Sequence, residues 1–256
     1  MRPSLIQAVC LVFVCASPAG WAMGADAVVE WSRRVELSLP VPGVIAVVQV
    51  ETGDRVKRDQ VLLALDDAPF KAAVMRAQAL VTQSQLARAE SERDFKQAQA
   101  LYERTVLSTV DLENARNKQA NAAASQLAAR AVLDEARWRL RVSTLRAPYD
   151  GRVIQRSAQP GQTVVAELKP QTLLVFAAAD EYIARARLPA ERIAGLQAGQ
   201  GASVTVAGEK FAAKVRQVGL EPVSRSDEAH AQYEVEWVFS TPKVLRAGQR
   251  ATIDIP

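Results

Sequence analysis

The chain contains an internal repeat of β-rich sequence that is interrupted by a long helical segment. Gly43 and Gly53 stand ten residues apart, and Gly151 and Gly161 repeat this spacing later in the chain. We expect all four to be turn residues, because glycine suits turns that need a positive φ. In each copy a proline precedes the first glycine closely, and short runs of β-branched and apolar residues follow. One copy is too short to bury an apolar face by itself, so we expect the two copies to pair as a small β-sandwich. The helical segment is then an insertion between two halves of one β-domain.

The first part of this insertion has the composition of one long helix. Ala, Gln, Arg, Glu and Leu dominate residues 68–103, and all of them favour helix. Asp66 or Asp67 is suited to cap this helix, and Pro69 is tolerated in its first turn. A weaker seam of small and apolar residues, at steps of three, four or seven, comprises Ala73, Ala77, Leu80, Ser84, Ala87, Ser91, Ala98 and Leu101.

The second part predicts another long helix, which begins at Ser108 or Thr109 and ends near Val142. Its seam alternates steps of three and four throughout, as in a heptad repeat. The seam positions are Leu112, Ala115, Gln119, Ala122, Gln126, Ala129, Leu133, Ala136 and Leu140. Because about four residues join the two helices, they must run antiparallel as a stiff hairpin.

The C-terminal third is again rich in strand-forming residues. Several short segments alternate apolar and polar residues, and residues 188–200 predict a short helix and turn. This pattern indicates a small antiparallel β-barrel. We therefore expect an α+β fold with a β-domain at 28–67 plus 142–172, a helical hairpin at 68–141, and a barrel at 173–256.

The N-terminus is typical of a secretory signal peptide at residues 1–22. A positive start precedes the mostly apolar run 5–16, which is too short to span a bilayer of ~30 Å as a helix. Small residues offer cleavage after Ala22 or after Ala27. The alternative is an uncleaved helix that lies on the membrane surface.

The remaining composition argues against an enzyme, a metal site and nucleic-acid binding. Cys10 and Cys15 lie inside the predicted signal peptide, so the mature chain is expected to have no disulfide and no thiolate ligand. His230 is the single histidine and lies in a polar stretch, where a loop position explains it. The net charge of +4 comes from interspersed acidic and basic residues without a long basic run. We expect no catalytic, cofactor-binding or metal-binding residue.

Three segments resemble the HlyD-like periplasmic adaptors, which are also called membrane fusion proteins. They are "PGVIAVVQVETGDRVKRDQVLLALD" from Pro42, "LRAPYDGRVIQRSAQPGQTV" from Leu145, and "LRAGQRATIDIP" from Leu245. The order of half-sandwich, hairpin, half-sandwich and barrel is also similar over residues 28–256. The resemblance implies a split lipoyl-like β-sandwich, an inserted coiled-coil hairpin and a following barrel. Lipoyl and biotinyl carriers modify a lysine in the turn that the hairpin replaces here, and because the nearest lysine, Lys71, lies inside the helix, no covalent cofactor is expected.

The resemblance implies a non-catalytic subunit that links an inner-membrane transporter to an outer-membrane channel in tripartite efflux or secretion. Such adaptors self-associate as rings, so we expect a hexamer or a trimer of dimers in the periplasm, held at the inner membrane through its partners. A proton-driven pump is the first expectation, with an ATP-driven transporter as the alternative. Many members continue past the barrel into a membrane-proximal β-domain that touches the pump, and this chain ends at the barrel, which favours a compact adaptor or one whose barrel makes that contact.

The resemblance also implies a partner-binding hairpin tip. Adaptors of resistance-nodulation-division pumps carry Arg, then Leu four residues later, then Ser seven residues after that. Leu101 and Ser108 match this spacing, whereas Gln97 occupies the Arg position and Arg104 lies nearby. Each residue also has a structural interpretation: Leu101 in the seam, Arg104 as a solvated loop charge, and Ser108 as a helix cap with an acidic residue three positions later.

A different class of protein remains open at this point. The same hairpin would suit a periplasmic scaffold that anchors or regulates an envelope complex without forming a conduit. The two hypotheses differ in whether the hairpin tip contacts a partner.

Overall fold

A computed structural model describes residues 24–165, 170–224 and 231–255. The predicted signal peptide and His230 lie outside the described residues. The chain divides into two units, one formed by the described parts of Met1–Glu30 and Tyr182–Pro256, and the other by Trp31–Glu181.

The strands and helices follow one another in the predicted order. The first part of the chain contains β1 (Ala25–Trp31), β2 (Val35–Leu37), β3 (Gly43–Val48), β4 (Arg55–Val56), β5 (Val61–Leu65), α1 (Ala68–Glu103) and α2 (Thr109–Val142). Next come β6 (Thr144–Arg146), β7 (Gly151–Arg156), β8 (Thr163–Val164), β9 (Leu174–Ala178) and β10 (Glu181–Pro189). The last elements are α3 (Ala190–Ile193), β11 (Gly201–Val206), β12 (Glu209–Ser224), β13 (Gln232–Ser240) and β14 (Arg250–Asp254).

The two sequence repeats form one β-sandwich by exchanging short strands. One sheet has the order β6-β5-β3-β8 and the other has the order β2-β9-β7-β4. Strand β3 of the first repeat pairs with β8 of the second, with Gly43 opposite Val164. In the same way β7 of the second repeat pairs with β4 of the first, with Gly151 opposite Val56. The predicted pairing of two distant β fragments is therefore confirmed, with near two-fold symmetry.

Equivalent positions of the two repeats fill the core of the sandwich. Ile45 and its equivalent Val153 are each 1% exposed, and Val56 and its equivalent Val164 are also buried. The largest side chains buried with them are Leu62, Leu63, Leu173, Leu174 and Phe176. This continuous apolar core holds the two halves of the domain together across the inserted hairpin.

Glycine is required at the four repeat positions for two different structural reasons. Gly53 and Gly161 occupy turns at positive φ, +99° and +83°, as expected for turn residues. The same expectation is wrong for Gly43 and Gly151, which begin strands β3 and β7. A Cβ at Gly151 would lie 2.3 Å from the carbonyl oxygen of Ala177, because the neighbouring strand and the Phe176 ring approach closely. Close packing, and not turn geometry, requires glycine there.

The hairpin helices pack along the predicted seam on α2. All nine predicted seam positions of α2 are buried or half-buried. On α1 the prediction was partly wrong, because Leu80 and Ala87 are exposed and Val81 is 4% exposed. Val81 and Ala77 pack against Leu133 of α2 instead. The α1 seam therefore passes through Val81, one residue after Leu80.

Between this small apolar core and the hairpin tip, polar contacts fix the alignment of the two helices. Arg88 Nη1 donates to Gln126 Oε1 at 2.7 Å, and Gln126 is only 4% exposed. Further toward the tip, Lys118 Nζ donates to Asp94 Oδ2, also at 2.7 Å. These bonds cross between the helices and set which residues lie level with each other.

The base of α1 uses both candidate capping residues in different ways. Asp66 Oδ1 accepts from the backbone N–H of Ala68 at 3.1 Å. Asp67 occupies the N-cap position without a side-chain capping bond, and its carboxylate pairs with Lys71 at 2.7 Å. Pro69 stands in the first turn, where its missing N–H costs no helical bond.

The second unit is a closed six-stranded barrel with the order β1-β10-β13-β12-β11-β14. Its interior side chains include Val29, Val204, Trp237 and Ile253, none of which is exposed. The expectation that the barrel includes the strand after Leu173 was wrong, because β9 pairs with β7 and β2 in the sandwich. Every residue of β9 is buried, so no alternating pattern was present to assign it to a sheet.

Strand β1 closes the barrel from the N-terminal side by pairing with β14, so the expectation that the sandwich domain begins at residue 28 was wrong. Of the two residues after which cleavage of the signal peptide was expected, Ala27 lies inside β1 and is buried, whereas Ala22 precedes this strand in the sequence. Within the described ranges, none of the helices combines the length and the apolar character that a membrane crossing needs.

Candidate functional site

The tip of the hairpin begins with a tightly capped helix end. After α1 the N–H of Val106 bonds to the carbonyl of Leu101 at 3.1 Å, and that of Thr105 to Tyr102 at 2.9 Å. Thr105 has φ +60°. These two bonds and the left-handed residue form a Schellman motif, in which glycine is the usual occupant of the Thr105 position. The motif turns the chain sharply and directs Val106 outward.

The second helix begins with the predicted cap. Ser108 has an extended backbone, and its hydroxyl oxygen accepts from the N–H of Asp111 at 3.2 Å. The same hydroxyl donates to the Asp111 carboxylate at 2.7 Å. The acidic group in the first turn also favours the helix dipole. The structural interpretation of Ser108 is thereby confirmed.

The structure brings the three predicted site residues together at the tip, with unequal exposure. Arg104 and Ser108 are exposed, whereas Leu101 is half-buried as a seam residue. Gln97 lies on an exposed face of α1 about two turns before the helix end. Whether any of these side chains contacts a partner stays a prediction.

Sequence reasoning missed the apolar residues that the tip exposes most. Val106 is 71% exposed, Val110 is 67% exposed and Tyr102 is 41% exposed. The signal was present in the sequence, because "TVLSTV" places apolar residues in a turn that has no seam to receive them. Together with Arg104 they form a small apolar surface with one positive charge, which we call the tip surface (Tyr102, Arg104, Val106, Val110).

The outer faces of the hairpin, away from the seam, expose a second set of apolar side chains. Met75 and Leu86 of α1 are 68% and 69% exposed. Leu127 and Trp138 of α2 are 62% and 44% exposed. These are large side chains for a solvated surface, and exposed apolar surface of this kind is common where proteins associate.

Charged groups of the second unit form a network on the barrel. Arg185 of β10 contacts carboxylates on both neighbouring strands, with Glu30 at 3.2 Å, Glu234 at 3.4 Å and Glu236 at 2.9 Å. These contacts form a structural ion-pair network, in which Arg185 Nη2 donates to Glu236 Oε1 and the buried Nε makes no hydrogen bond to a residue that the structure describes. Among the described residues no group of three or more His, Cys, Asp or Glu is arranged to hold a metal ion.

Few titratable groups have shifted pKa values, and their causes are structural. The hydrogen bond from Lys118 to Asp94, together with the charge of that carboxylate, raises the pKa of Lys118. Burial raises the pKa of Tyr149, whose hydroxyl donates to the carbonyl of Arg33.

Comparison with solved structures supports the fold. The chain is similar to the membrane fusion protein Spr0693 from Streptococcus pneumoniae R6, with a TM-score of 0.71 and 16% identity, covering 91% of this chain and 98% of that one. It is also similar to a MacA–MexA chimeric protein that contains the Pseudomonas aeruginosa MexA α-hairpin domain. The TM-score there is 0.65 at 24% identity, covering 90% of this chain and 76% of that one.

Sequence comparison identifies relatives and the family. The macrolide export protein MacA of Escherichia coli O157:H7 is 26% identical over 222 residues, which is 79% of this chain and 60% of that protein. The chain thus spans about three fifths of the length of the curated relatives that it matches first. The sequence model of the CzcB-like, barrel-sandwich hybrid domain matches residues 33–173, more than half of the chain. The resemblance to membrane fusion proteins is therefore confirmed, and the chain belongs to the family of CzcB-like barrel-sandwich hybrid domains.

Proposed function

We propose that this protein is the periplasmic adaptor subunit of a tripartite efflux or secretion system. It links an inner-membrane transporter to an outer-membrane channel and assembles as a ring of copies. Its role is mechanical and non-catalytic. Relatives named for export, such as the macrolide export protein MacA, support this class of function.

The observation that carries the proposal is the hairpin that leaves the β-sandwich and ends in an exposed apolar tip. Helix α1 has 36 residues, so at ~1.5 Å per residue it extends ~54 Å. Val106 is exposed in the loop at the far end of the hairpin, although a solvated loop favours polar residues, and Val110 is exposed in the first turn of α2. A long hairpin with an apolar tip suits end-on contact with another protein better than it suits enclosing a substrate.

The tip surface offers a direct test in cells that carry the whole export system. We expect Val106→Asp and Val110→Asp to abolish export, because a carboxylate at an apolar contact leaves an unpaired charge in the interface. Arg104→Glu should have a similar effect if the channel surface is acidic. Export is measured as resistance to a panel of compounds that includes macrolides, against cells that lack the gene.

The matched control is Val244→Asp on the barrel, since Val244 is 56% exposed and distant in sequence from the hairpin. Bulky replacement of Leu101 is less informative, because its side chain is half-buried in the seam and a larger one would disturb the packing of the two helices. A photo-reactive amino acid at position 106 should cross-link to an outer-membrane protein. Normal export by both Val→Asp variants, with no such cross-link, would favour the scaffold hypothesis instead.

A further inference from the structure

The chain passes between its two units at two places in the sequence. The barrel unit ends at Glu30 and resumes at Tyr182, and the residues between them form the unit of the sandwich and the hairpin. We call residues 31–34 the first crossing and residues 179–181 the second crossing. Both crossings belong to the unit of the sandwich. A movement that travels along the chain from one unit to the other must pass through these two segments.

Hydrogen bonds join the two crossings to each other. The backbone N–H of Ser32 donates to the carbonyl of Glu181 at 3.3 Å, and the N–H of Ala178 donates to the carbonyl of Ser32 at 3.1 Å. The Ser32 hydroxyl also donates to the Glu181 carboxylate, and Ser32 is 0% exposed. Arg33 Nε lies 3.7 Å from the same carboxylate. Since water does not reach the serine, one crossing cannot shift without losing these bonds or moving the other crossing.

Tyr149 anchors the first crossing to the sandwich. Its hydroxyl donates to the carbonyl of Arg33, and the Arg33 guanidinium lies 5.2 Å from the centre of the tyrosine ring, within the range of a cation–π contact. The same ring packs beside the fully buried Phe176, with ring centroids 5.1 Å apart. The first crossing is therefore tied to the core of the sandwich through one side chain.

Arg55 anchors the second crossing. Its Nη2 donates to Asp180 Oδ2 in a charge-assisted hydrogen bond. Arg55 lies on β4, an edge strand of the sheet that also contains β9, from which the second crossing leaves. The Asp180 side chain is only 30% exposed, so solvent screens this pair less than it screens a fully exposed pair. Each crossing therefore has its own anchor on the sandwich.

Both anchors contact residues that have an unfavourable backbone conformation. Arg33 has φ +49° and Asp180 has φ +59°. A residue with a Cβ is disfavoured in this left-handed region, arginine more than aspartate, so the surrounding contacts must hold it there. Strained residues of this kind cluster at clamps and at switch regions of proteins. The two crossings are thus held in a conformation that they would not adopt by themselves.

We propose that these contacts form a clasp, which joins the two crossings into one stiff element and passes movement of the barrel on to the sandwich and the hairpin. The clasp consists of Ser32, Arg33, Arg55, Tyr149, Asp180 and Glu181. A single connection would let the chain rotate about its backbone bonds, whereas two crossings that are bonded to each other and anchored remove this freedom. The inference rests on the proposed mechanical function as an adaptor and names the part of the chain that couples the two units.

Hydrogen exchange of the Ser32 and Ala178 amides in the full chain tests whether the two crossings open together. Tyr149→Phe removes the hydroxyl bond to the first crossing but keeps the ring. Asp180→Asn removes the ion pair of the second crossing but keeps a residue that tolerates positive φ. Each variant should speed the exchange of both amides by about five-fold, as expected when one hydrogen bond is lost. Acceleration of only one of the two amides by either variant would overturn the coupling.

Two controls separate opening of the clasp from a general loss of stability. Glu51→Gln breaks another arginine–carboxylate pair on the same sandwich, with Arg156 at 3.1 Å, and should leave both amides unchanged. The amides of β5, a strand of the other sheet, should keep their protection in every variant. Equal acceleration in β5 would show that the variants unfold the whole sandwich, and would overturn the clasp as a separate element.

Export in cells that carry the whole system tests what the clasp does. A chain with both Tyr149→Phe and Asp180→Asn should still cross-link to an outer-membrane protein through position 106, but its export should fall toward the level of cells that lack the gene. Adding Ser32→Cys and Glu181→Cys places a disulfide between the two hydrogen-bonded crossings and should restore export. Failure of the formed disulfide to restore export would overturn the role of the clasp.

The outcomes separate this inference from the proposed function. If export requires the protein but the chain with both anchors removed exports normally, the role of the clasp is wrong and the adaptor function stands. If export is unchanged in cells without the gene, the adaptor function is wrong, whereas the exchange of the Ser32 and Ala178 amides still decides whether the two crossings are coupled.

Discussion

The β-sandwich and the helical hairpin belong to one unit of the chain but are stabilised in different ways. The sandwich buries large apolar side chains completely, among them Leu63 and Phe176 at 0% exposure. The apolar core of the hairpin is a cluster of four buried residues near its base, Ala77, Val81, Leu133 and Ala136. Burial of apolar area therefore contributes much more to the sandwich than to the hairpin.

This difference explains how one chain can form both a well-packed β-sandwich and a long helical hairpin. The stability of the hairpin comes from helix propensity, from the length of its helices, and from polar contacts such as that of Arg88 with Gln126. The comparison leads to four predictions, which we give in order of decreasing effect.

The largest effect is expected from a cavity in the sandwich core. Phe176→Ala removes a fully buried ring that packs beside Tyr149, with ring centroids 5.1 Å apart. The free energy of unfolding should fall by about 3–5 kcal/mol, as measured by denaturant titration followed by circular dichroism. Val44→Ala in β3 is the control, because Val44 is 45% exposed and should change stability by less than about 1 kcal/mol. A loss below 1 kcal/mol for Phe176→Ala would contradict the role given to this core.

A cavity in the hairpin core should have a smaller and more local effect. Leu133→Ala should lower stability by about 2 kcal/mol, because alanines surround Leu133 and the helices can close part of the gap. Hydrogen exchange should accelerate in residues 73–81 and 129–136, while the sandwich strands keep their protection. The exposed Leu127→Ala serves as the control, with no change in exchange expected. Equal acceleration in the sandwich would mean that the two regions unfold as one.

The contrast between the two regions also explains what the sequence could predict. The α2 seam was predicted completely because its heptad steps are unbroken, and the repeat glycines revealed the split sandwich. On α1 the adjacent apolar residues Leu80 and Val81 both fitted a seam, and only packing against Leu133 distinguishes them. The sheet that contains β9 was not predictable, since a strand buried on both faces has no period that indicates its neighbours.

The site was predicted less completely than the fold. The family resemblance pointed to Leu101 and Ser108, and the structure gives both residues local structural roles. The exposure of Val106 depends on the left-handed conformation of Thr105, which no preference of threonine would predict. The level at which residues of α1 and α2 face each other depends on bonds such as that of Arg88 with Gln126, which a single sequence does not show.

Replacement of Thr105 tests the Schellman motif at the end of α1, and we expect it to raise the stability of the hairpin. A β-branched residue is disfavoured at φ +60°, and glycine adopts this conformation without steric cost. Thr105→Gly should raise the free energy of unfolding by about 0.5–1 kcal/mol and slow hydrogen exchange at the end of α1. Thr109→Gly, in the first turn of α2, should instead destabilise the hairpin. Destabilisation by Thr105→Gly would mean that the threonine side chain makes a compensating contact.

The smallest effect is expected from the exposed ion pair between Lys118 and Asp94. The hydrogen bond and the charge of Asp94 raise the pKa of Lys118 above its ordinary value of 10.5. The folded state therefore holds this proton more tightly than the unfolded state, so the stabilisation is fully present below pH 10.5 and is lost as the pH rises through the folded pKa. Because both side chains are largely exposed, the ion pair stabilises the helices only slightly, so only a small fall in stability is expected at high pH. High salt should screen the pair and make this fall smaller still.

Thermal unfolding followed by circular dichroism at about pH 9 and about pH 11.5 measures this fall. The variant Asp94→Asn should show a smaller fall than the unmodified chain, whereas Lys118→Arg should keep the pair intact at both values, because arginine stays charged. If the unmodified chain and the Asp94→Asn variant lose the same amount of thermal stability between the two pH values, the pair does not contribute to the stability of the hairpin.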